Sequence, residues 1–189
     1  MIEEILAYNE QFVANKEYEQ FATDKYPNKK LAIVTCMDTR LIELLPAALG
    51  IKNGDAKIIK NAGGVISSPF GSAMRSLLVA IYELGVEEIM VIGHTDCGVS
   101  HIDCEHMIEE MKKRGVRQKA IDLMRYCGVN FERWLAGFET VEKSVAESVE
   151  VVVNHPLVPK DVHVTGYVMD SYTGAMTLVC DHAAEAIEE

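Results

Sequence analysis

Cys36, His94 and Cys97 are the residues of this chain whose types and placement could do chemistry together. Two thiolates and one imidazole make a soft donor set suited to Zn²⁺. Three protein donors leave the fourth tetrahedral position free for water or another oxygen ligand, the arrangement of a catalytic metal rather than a structural one. Taken singly each residue says little: a cysteine closing an apolar run is ordinarily a small core filler, and a histidine after a strand is ordinarily satisfied by a backbone group. Their neighbours change the weighting. Asp38 and Arg40 follow Cys36 closely, so a carboxylate can orient an oxygen at the open position while a guanidinium holds that carboxylate as a charge-assisted pair.

Residues so far apart in the chain meet only if the fold brings them together. Leu31-Ala-Ile-Val-Thr-Cys36 is an apolar run without charge, as expected of a buried parallel strand; Lys57–Asn61 is a weaker second strand and Glu87–Gly93 a third. A helical segment from Leu41 to Leu49, closed by Gly50, separates the first two. Ser68 followed by Pro69 predicts a helix start, running to about Leu84 and ended by Gly85. Strands alternating with helices imply right-handed crossovers and a mostly parallel sheet covered on both faces, with Cys36, His94 and Cys97 at the carboxyl ends where open α/β sheets place their sites. The pattern Phe131, Trp134, Leu135, Phe138, Val141, Val145 behind Asn130 predicts a helix to about Val153. The runs Val162–Val168 and Ala175–Val179, joined by Asp170-Ser-Tyr-Thr-Gly174, predict a hairpin whose last strand is an antiparallel edge. Loosely helical spacing from Ile2 to Phe21 predicts a surface helix. The expected architecture is therefore α/β: about four parallel strands plus an antiparallel edge strand, flanked by helices, in one domain over 1–189 with a helical arm at 1–25 and a core at 31–189.

The chain has 189 residues, a 49% apolar and 25% charged composition and a net charge of −11, which fits one globular domain and argues against nucleic acid as a partner. Its apolar runs fall short of the roughly 20 residues a membrane span needs, and the start lacks the basic region of a signal peptide, so the expectation is a cytoplasmic protein without membrane partners. Five scattered cysteines do not read as a disulfide framework.

Cys36-Met-Asp-Thr-Arg40 and Gly93-His-Thr-Asp-Cys-Gly98 resemble the two signature motifs of β-class carbonic anhydrases. Asn61-Ala-Gly-Gly64 and the closing hairpin are also similar, so the resemblance covers most of the chain from Leu31 onward. It implies a zinc enzyme, a carbonate dehydratase, that reversibly hydrates CO₂ to bicarbonate and a proton by attack of zinc-bound hydroxide, with Cys36, His94 and Cys97 holding the metal. It implies catalytic roles for Asp38 and Arg40, with Asp38 also able to rotate onto the metal as a fourth ligand in a closed state, against the competing pull of Arg40. It further implies a homodimer or an assembly of dimers, with the N-terminal helix packed on a partner. Asn61, Gly63 and Gly64 are read as a wall of the substrate pocket, although a plain strand-to-helix turn explains them nearly as well.

Three other readings compete. The same scaffold and zinc hydroxide can hydrolyse CS₂ or COS, and the motifs do not separate these substrates from CO₂. A cysteine nucleophile with a following arginine resembles phosphatases and sulfurtransferases, but the spacing here is too short for an oxyanion cradle and Asp38 would repel the anion. A regulatory module with structural zinc would ordinarily carry a fourth cysteine or histidine. His101 and His106 remain candidates for a proton relay. A second metal site at His101–His106 is disfavoured because, on one helix, His101 and Cys104 lack further fixed donors. Asp96 either bonds a neighbouring backbone group or helps to position Arg40. Trp134 is assigned to the core or a subunit interface.

Overall fold

The computed structural model describes residues 1–184; the last five residues of the expected domain span lie outside the described residues. Five strands form one sheet in the order β2-β1-β3-β4-β5: β1 (Leu31–Cys36), β2 (Ala56–Asn61), β3 (Glu88–His94), β4 (His163–Met169) and β5 (Met176–His182). The first four are parallel and β5 runs antiparallel to β4 at the edge, which is the predicted topology. β1 is buried along its whole length, as its uninterrupted apolar sequence requires of a strand with parallel neighbours on both sides.

One face of the sheet packs on α3 (Ser72–Leu84) and α7 (Val141–Val153), with Ala32, Val34, Val91, Met74, Leu77, Val145 and Val149 in a single core. The opposite face gathers Ile33, Cys36, Leu41, Leu45, Ile92, Cys97 and Met169 around α2 (Leu44–Ala48). The metal-ligating candidates are therefore built into that second core. A third, small cluster of Ile108, Ile121 and Phe131 holds together α4 (Cys104–Lys113), α5 (Gln118–Tyr126) and α6 (Phe131–Trp134), a helical excursion after the third strand.

Helix α7 lies close to the sheet because glycines face it. A Cβ on Gly93 would stand 2.6 Å from Val141 Cγ1 and 2.8 Å from Val145 Cγ2, and one on Gly166 would stand 2.7 Å from Val145 Cγ1. Gly93→Ala is therefore expected to overpack this seam at a cost of about 1–3 kcal/mol. That corresponds to a fall of roughly 3–10 °C in melting temperature, read by calorimetry; an unchanged melting temperature would show that α7 yields freely.

Several predicted helices are shorter or broken. The N-terminal one, α1 (Ile2–Ala14), stops where Lys16 adopts φ +56°, and a separate short 3₁₀ turn covers Glu17–Phe21. The segment after Cys36 divides into a 3₁₀ turn at Thr39–Leu41 and α2. Ser68 and Pro69 form a turn, closed by Gly71 N–H donating to the Ser68 carbonyl at 3.2 Å, so α3 begins only at Ser72; Gly85 ends it at φ +69° as predicted. The single helix expected over 131–153 is two: Asn130 caps α6, and α7 starts afresh under the Thr140 cap. Between them Gly137 approaches the backbone of Val99, whose carbonyl oxygen would be 2.2 Å from a Cβ there, a tertiary contact that the helical periodicity does not reveal. Trp134 is 69% exposed and so does not belong to this chain's core. Among the described residues no helix is long and apolar enough to cross a membrane.

Candidate metal centre

β1 and β3 are adjacent and parallel, so their carboxyl ends deliver Cys36 and His94 to the same side of the sheet, and the turn after His94 returns Cys97 beside them. Their donor atoms all lie within 4.8 Å of one another and all three residues are buried. The two sulfurs are 3.9 Å apart. Two thiolates about 2.3 Å from a common tetrahedral centre stand about 3.8 Å apart, so the spacing is that of a metal pair and far from that of a disulfide.

The imidazole is oriented for the same purpose. His94 Nδ1–H donates to the Thr95 carbonyl at 2.8 Å, which fixes the tautomer and leaves Nε2 as the free acceptor. His94 is fully buried, and among the described residues its Nε2 is the buried side-chain nitrogen or oxygen without a hydrogen-bond partner. Such an orphan is costly unless something completes it. The Thr95 carbonyl is itself placed by its residue's other bonds: Thr95 N–H donates to Met169 O at 2.9 Å, and Ser171 N–H donates to Thr95 Oγ1 at 3.0 Å. These partners reach the site through β4 and the turn after it, and nothing in the motif around His94 signals them.

The thiols are unequal. Burial pushes Cys36 up, but the neighbouring His94 imidazole and the backbone N–H groups of Asp38 and Gly63 outweigh it and bring it down to about 7. Burial, reinforced by the adjacent Cys36 sulfur, pushes Cys97 up to about 11. The proximity of Cys36 raises His94.

Asp38 and Arg40 lie at the rim. Arg40 Nε donates to Asp38 Oδ1 at 3.0 Å and Nη2 to Oδ2 at 2.9 Å, a two-pronged pairing, and the Arg40 backbone N–H also donates to Oδ1 at 2.9 Å. These bonds hold the Asp38 carboxyl down at about 2. Asp38 Oδ2 is 3.8 Å from His94 Nε2, so the carboxylate borders the same space as the orphaned nitrogen. Asp96 takes the other side of the guanidinium: Nη1 donates to its carboxylate and Nη2 to its carbonyl, each at 2.9 Å. Of the two sequence-based alternatives for Asp96, the structure chooses the pairing with Arg40.

The Asn61–Gly64 loop packs from the β2 side. Gly63 and Gly64 have φ +82° and +67°, a left-handed region open chiefly to glycine. A Cβ on Gly64 would stand 3.0 Å from Cys36 N, so the loop presses backbone to backbone on the first metal-ligating candidate. The Asn61 side chain staples the loop, donating to Val65 O at 2.8 Å and accepting from Val65 N–H at 3.0 Å. Beyond Gly63, Val65, Val99 and Phe138 close around it and line an open cavity of about 610 Å³.

The second cluster differs from the one considered at His101–His106. His101 ends a 3₁₀ turn and Asp103 caps a new helix at Cys104, so the two are not on one helix. Cys104 instead meets Glu105 and Glu132. Arg125 pairs with both carboxylates, at 3.6 and 2.9 Å, so they are held by a guanidinium.

A family model described as carbonic anhydrase matches residues 31–176. "Putative carbonic anhydrase YvdA" of Bacillus subtilis (strain 168) is 53% identical over 93% of this chain and 89% of that protein. A carbon disulfide hydrolase of Acidithiobacillus thiooxidans is 32% identical over 78% of this chain and 75% of that protein. Among solved structures, β-carbonic anhydrase isoform I of Trichomonas vaginalis superposes with a TM-score of 0.88 at 33% identity, covering 96% of this chain and 98% of that one.

Proposed function

From the premise that the chain belongs to the β-class carbonic anhydrase family, we propose that it reversibly hydrates CO₂ to bicarbonate and a proton at a zinc ion held by Cys36, His94 and Cys97. The observation that carries this reading is the orphaned Nε2 of a fully buried histidine facing two sulfurs 3.9 Å apart, with an ionised carboxylate alongside. Zinc bound there would supply Lewis acidity that makes hydroxide available near neutral pH, since in all-histidine sites it lowers the pKa of water from about 15.7 toward about 7.

The protein's residues do the rest. Asp38, held near 2 by Arg40, stays an acceptor throughout the working range; it takes the hydrogen bond from the attacking oxygen and turns that oxygen's lone pair toward the substrate. Arg40 holds Asp38 by two parallel hydrogen bonds; were that pairing to break, Asp38 would be the conditional fourth ligand of the metal. Asn61, Gly63 and Gly64 form one wall of the substrate pocket, through backbone shape more than through side-chain donors. The apolar surface of Val65, Val99 and Phe138 suits a linear triatomic without charge.

Hydrolysis of CS₂ or COS is the second reading, favoured by the carbon disulfide hydrolase at 32% identity. The higher identity to the protein named as a putative carbonic anhydrase than to the carbon disulfide hydrolase supports the CO₂ reading over this one. We also assign the arm at 1–25 to the surface of a second copy, in a homodimer or an assembly of dimers. α1 contributes no buried residue, and Ile2, Ile5, Leu6 and Tyr8 are each more than half exposed, an apolar face that water does not favour.

Zinc quantitation with stopped-flow assays on the wild type tests the reading. One zinc per chain is expected, with CO₂ hydration rising from pH 6.5 to 9. Two thiolates cancel the dication's charge, so generating hydroxide is harder than in an all-histidine site. Asp38, near 2, does not titrate in that window and cannot supply the slope. Metal-free protein, or zinc protein inert toward CO₂, would overturn the proposal, and turnover of CS₂ or COS in its place would establish the second reading.

A further inference from the structure

We infer that Asp96 is a positioning residue that locks Arg40 onto Asp38 and so keeps the fourth metal position open. This rests on the zinc reading above and extends it from the pair Asp38 and Arg40 to a three-membered clamp. Asp96 is one of the non-glycine residues with positive φ, at +53°, a conformation that aspartate tolerates better than most residues but that still needs support from its surroundings. Here the twist aims two acceptors of one residue, the carbonyl and Oδ2, at one guanidinium, each at 2.9 Å.

The consequence follows from the order of the contacts. Asp38 and Arg40 are two residues apart on a rim turn, and Arg40 is 41% exposed; an ion pair so placed is weak when it stands alone. Asp38 Oδ2 stands 3.8 Å from His94 Nε2, close enough for a small rotation to take it onto the metal. If Asp38 were Arg40's only partner, the guanidinium could follow it or swing into solvent. Asp96 belongs to the loop that carries His94 and Cys97, so its two acceptors anchor Arg40 to the far side of the site. The rotation of Asp38 then requires breaking the pair. The two ligand-bearing loops are thereby tied together by a guanidinium with four donor contacts, and access of an outside oxygen depends on a residue that touches neither metal nor substrate.

The test uses the full-length protein loaded with cobalt(II) in place of zinc and titrated with thiocyanate at one fixed pH, read by visible absorption. Thiocyanate needs the fourth position, so its apparent Kd reports how far Asp38 competes for it. Asp96→Gly keeps the backbone conformation and the carbonyl but removes the carboxylate. It is expected to weaken thiocyanate about 10-fold at unchanged metal content, and to lower kcat for CO₂ more than it changes KM. Asp96→Asn, which keeps a neutral acceptor and also accepts the left-handed conformation, should recover most of the loss. The double variant Asp38→Ala with Asp96→Gly should bind thiocyanate as tightly as Asp38→Ala alone. A Kd in Asp96→Gly equal to wild type, loss of metal, or equal weakening with and without Asp38 would each overturn the inference. The thiocyanate readout decides the clamp even if the wild type proves inert toward CO₂.

Discussion

Cys97→Ser is expected to leave a folded protein that no longer retains zinc through dialysis and hydrates CO₂ no faster than buffer. Removing an outer hydrogen-bond partner of a metal ligand costs about 10–100-fold in affinity, and removing a ligand must cost more. A serine hydroxyl does not ionise in the working range, whereas the thiol it replaces surrenders its proton to the metal. The same proton gives the wild type a defined pH dependence. Cys97 is pushed up to about 11 while Cys36 is brought down to about 7, so zinc uptake at pH 8 must displace the Cys97 proton. Below pH 7 the proton returning to Cys36 must be displaced as well, and the upward shift of His94 acts in the same direction. Apparent zinc affinity therefore falls as pH falls, and more steeply below 7. Competition with a chromophoric chelator from pH 6 to 9 measures both effects. Full zinc retention by Cys97→Ser, with native circular dichroism, would remove this residue from the metal site.

Arg40→Ala is expected to lose about 100-fold in CO₂ hydration at pH 7 with its zinc content intact. The guanidinium's two-pronged hold restrains the Asp38 carboxylate at the border of the space beside His94 Nε2, and alanine offers nothing in its place. Arg40→Lys should recover little, because an ammonium cannot reproduce two parallel donors to one carboxylate while also reaching Asp96. The diagnostic variant is the double one. If Arg40 acts by restraining Asp38, adding Arg40→Ala to Asp38→Ala should cost almost nothing further, whereas two independent contributions would multiply. Stopped-flow rates for the two single variants and the double variant decide this, and an Arg40→Ala enzyme within threefold of wild type would contradict it.

Much of the fold was legible because its central signals are local. β1 was readable from Leu31–Cys36 since burial on both faces demands an apolar run, and the αL end of α3 was readable from Gly85. The parallel sheet with Cys36 and His94 at its carboxyl ends followed from the alternation of strands and helices, whereas the strand order is a finding of the structure. The helix boundaries were less so. Periodicity carried the predicted helix of 131–153 straight through Leu135–Glu139, where the chain instead bends so that Gly137 can lie against Val99. The start at Ser68–Pro69 satisfied every local rule, yet those residues turn and the helix waits for Ser72.

For the site, residue types and motif spacing named the candidate donor set and the nearby carboxylate and guanidinium, and the resemblance of the two motifs named the family, because two thiolates and an imidazole suit a soft metal. Only the tertiary structure decided how those residues are held. The His94 tautomer depends on a carbonyl placed through Met169 and Ser171, the unequal thiols on burial and on Gly63, and the hold on Arg40 on an aspartate from the other ligand-bearing loop. Each of these is a contact between segments distant in the chain, set by strand pairing and backbone twist. A one-dimensional pattern can name the groups that do the chemistry; which of them are orphaned, paired or restrained is fixed only when the sheet brings their partners within 3 Å.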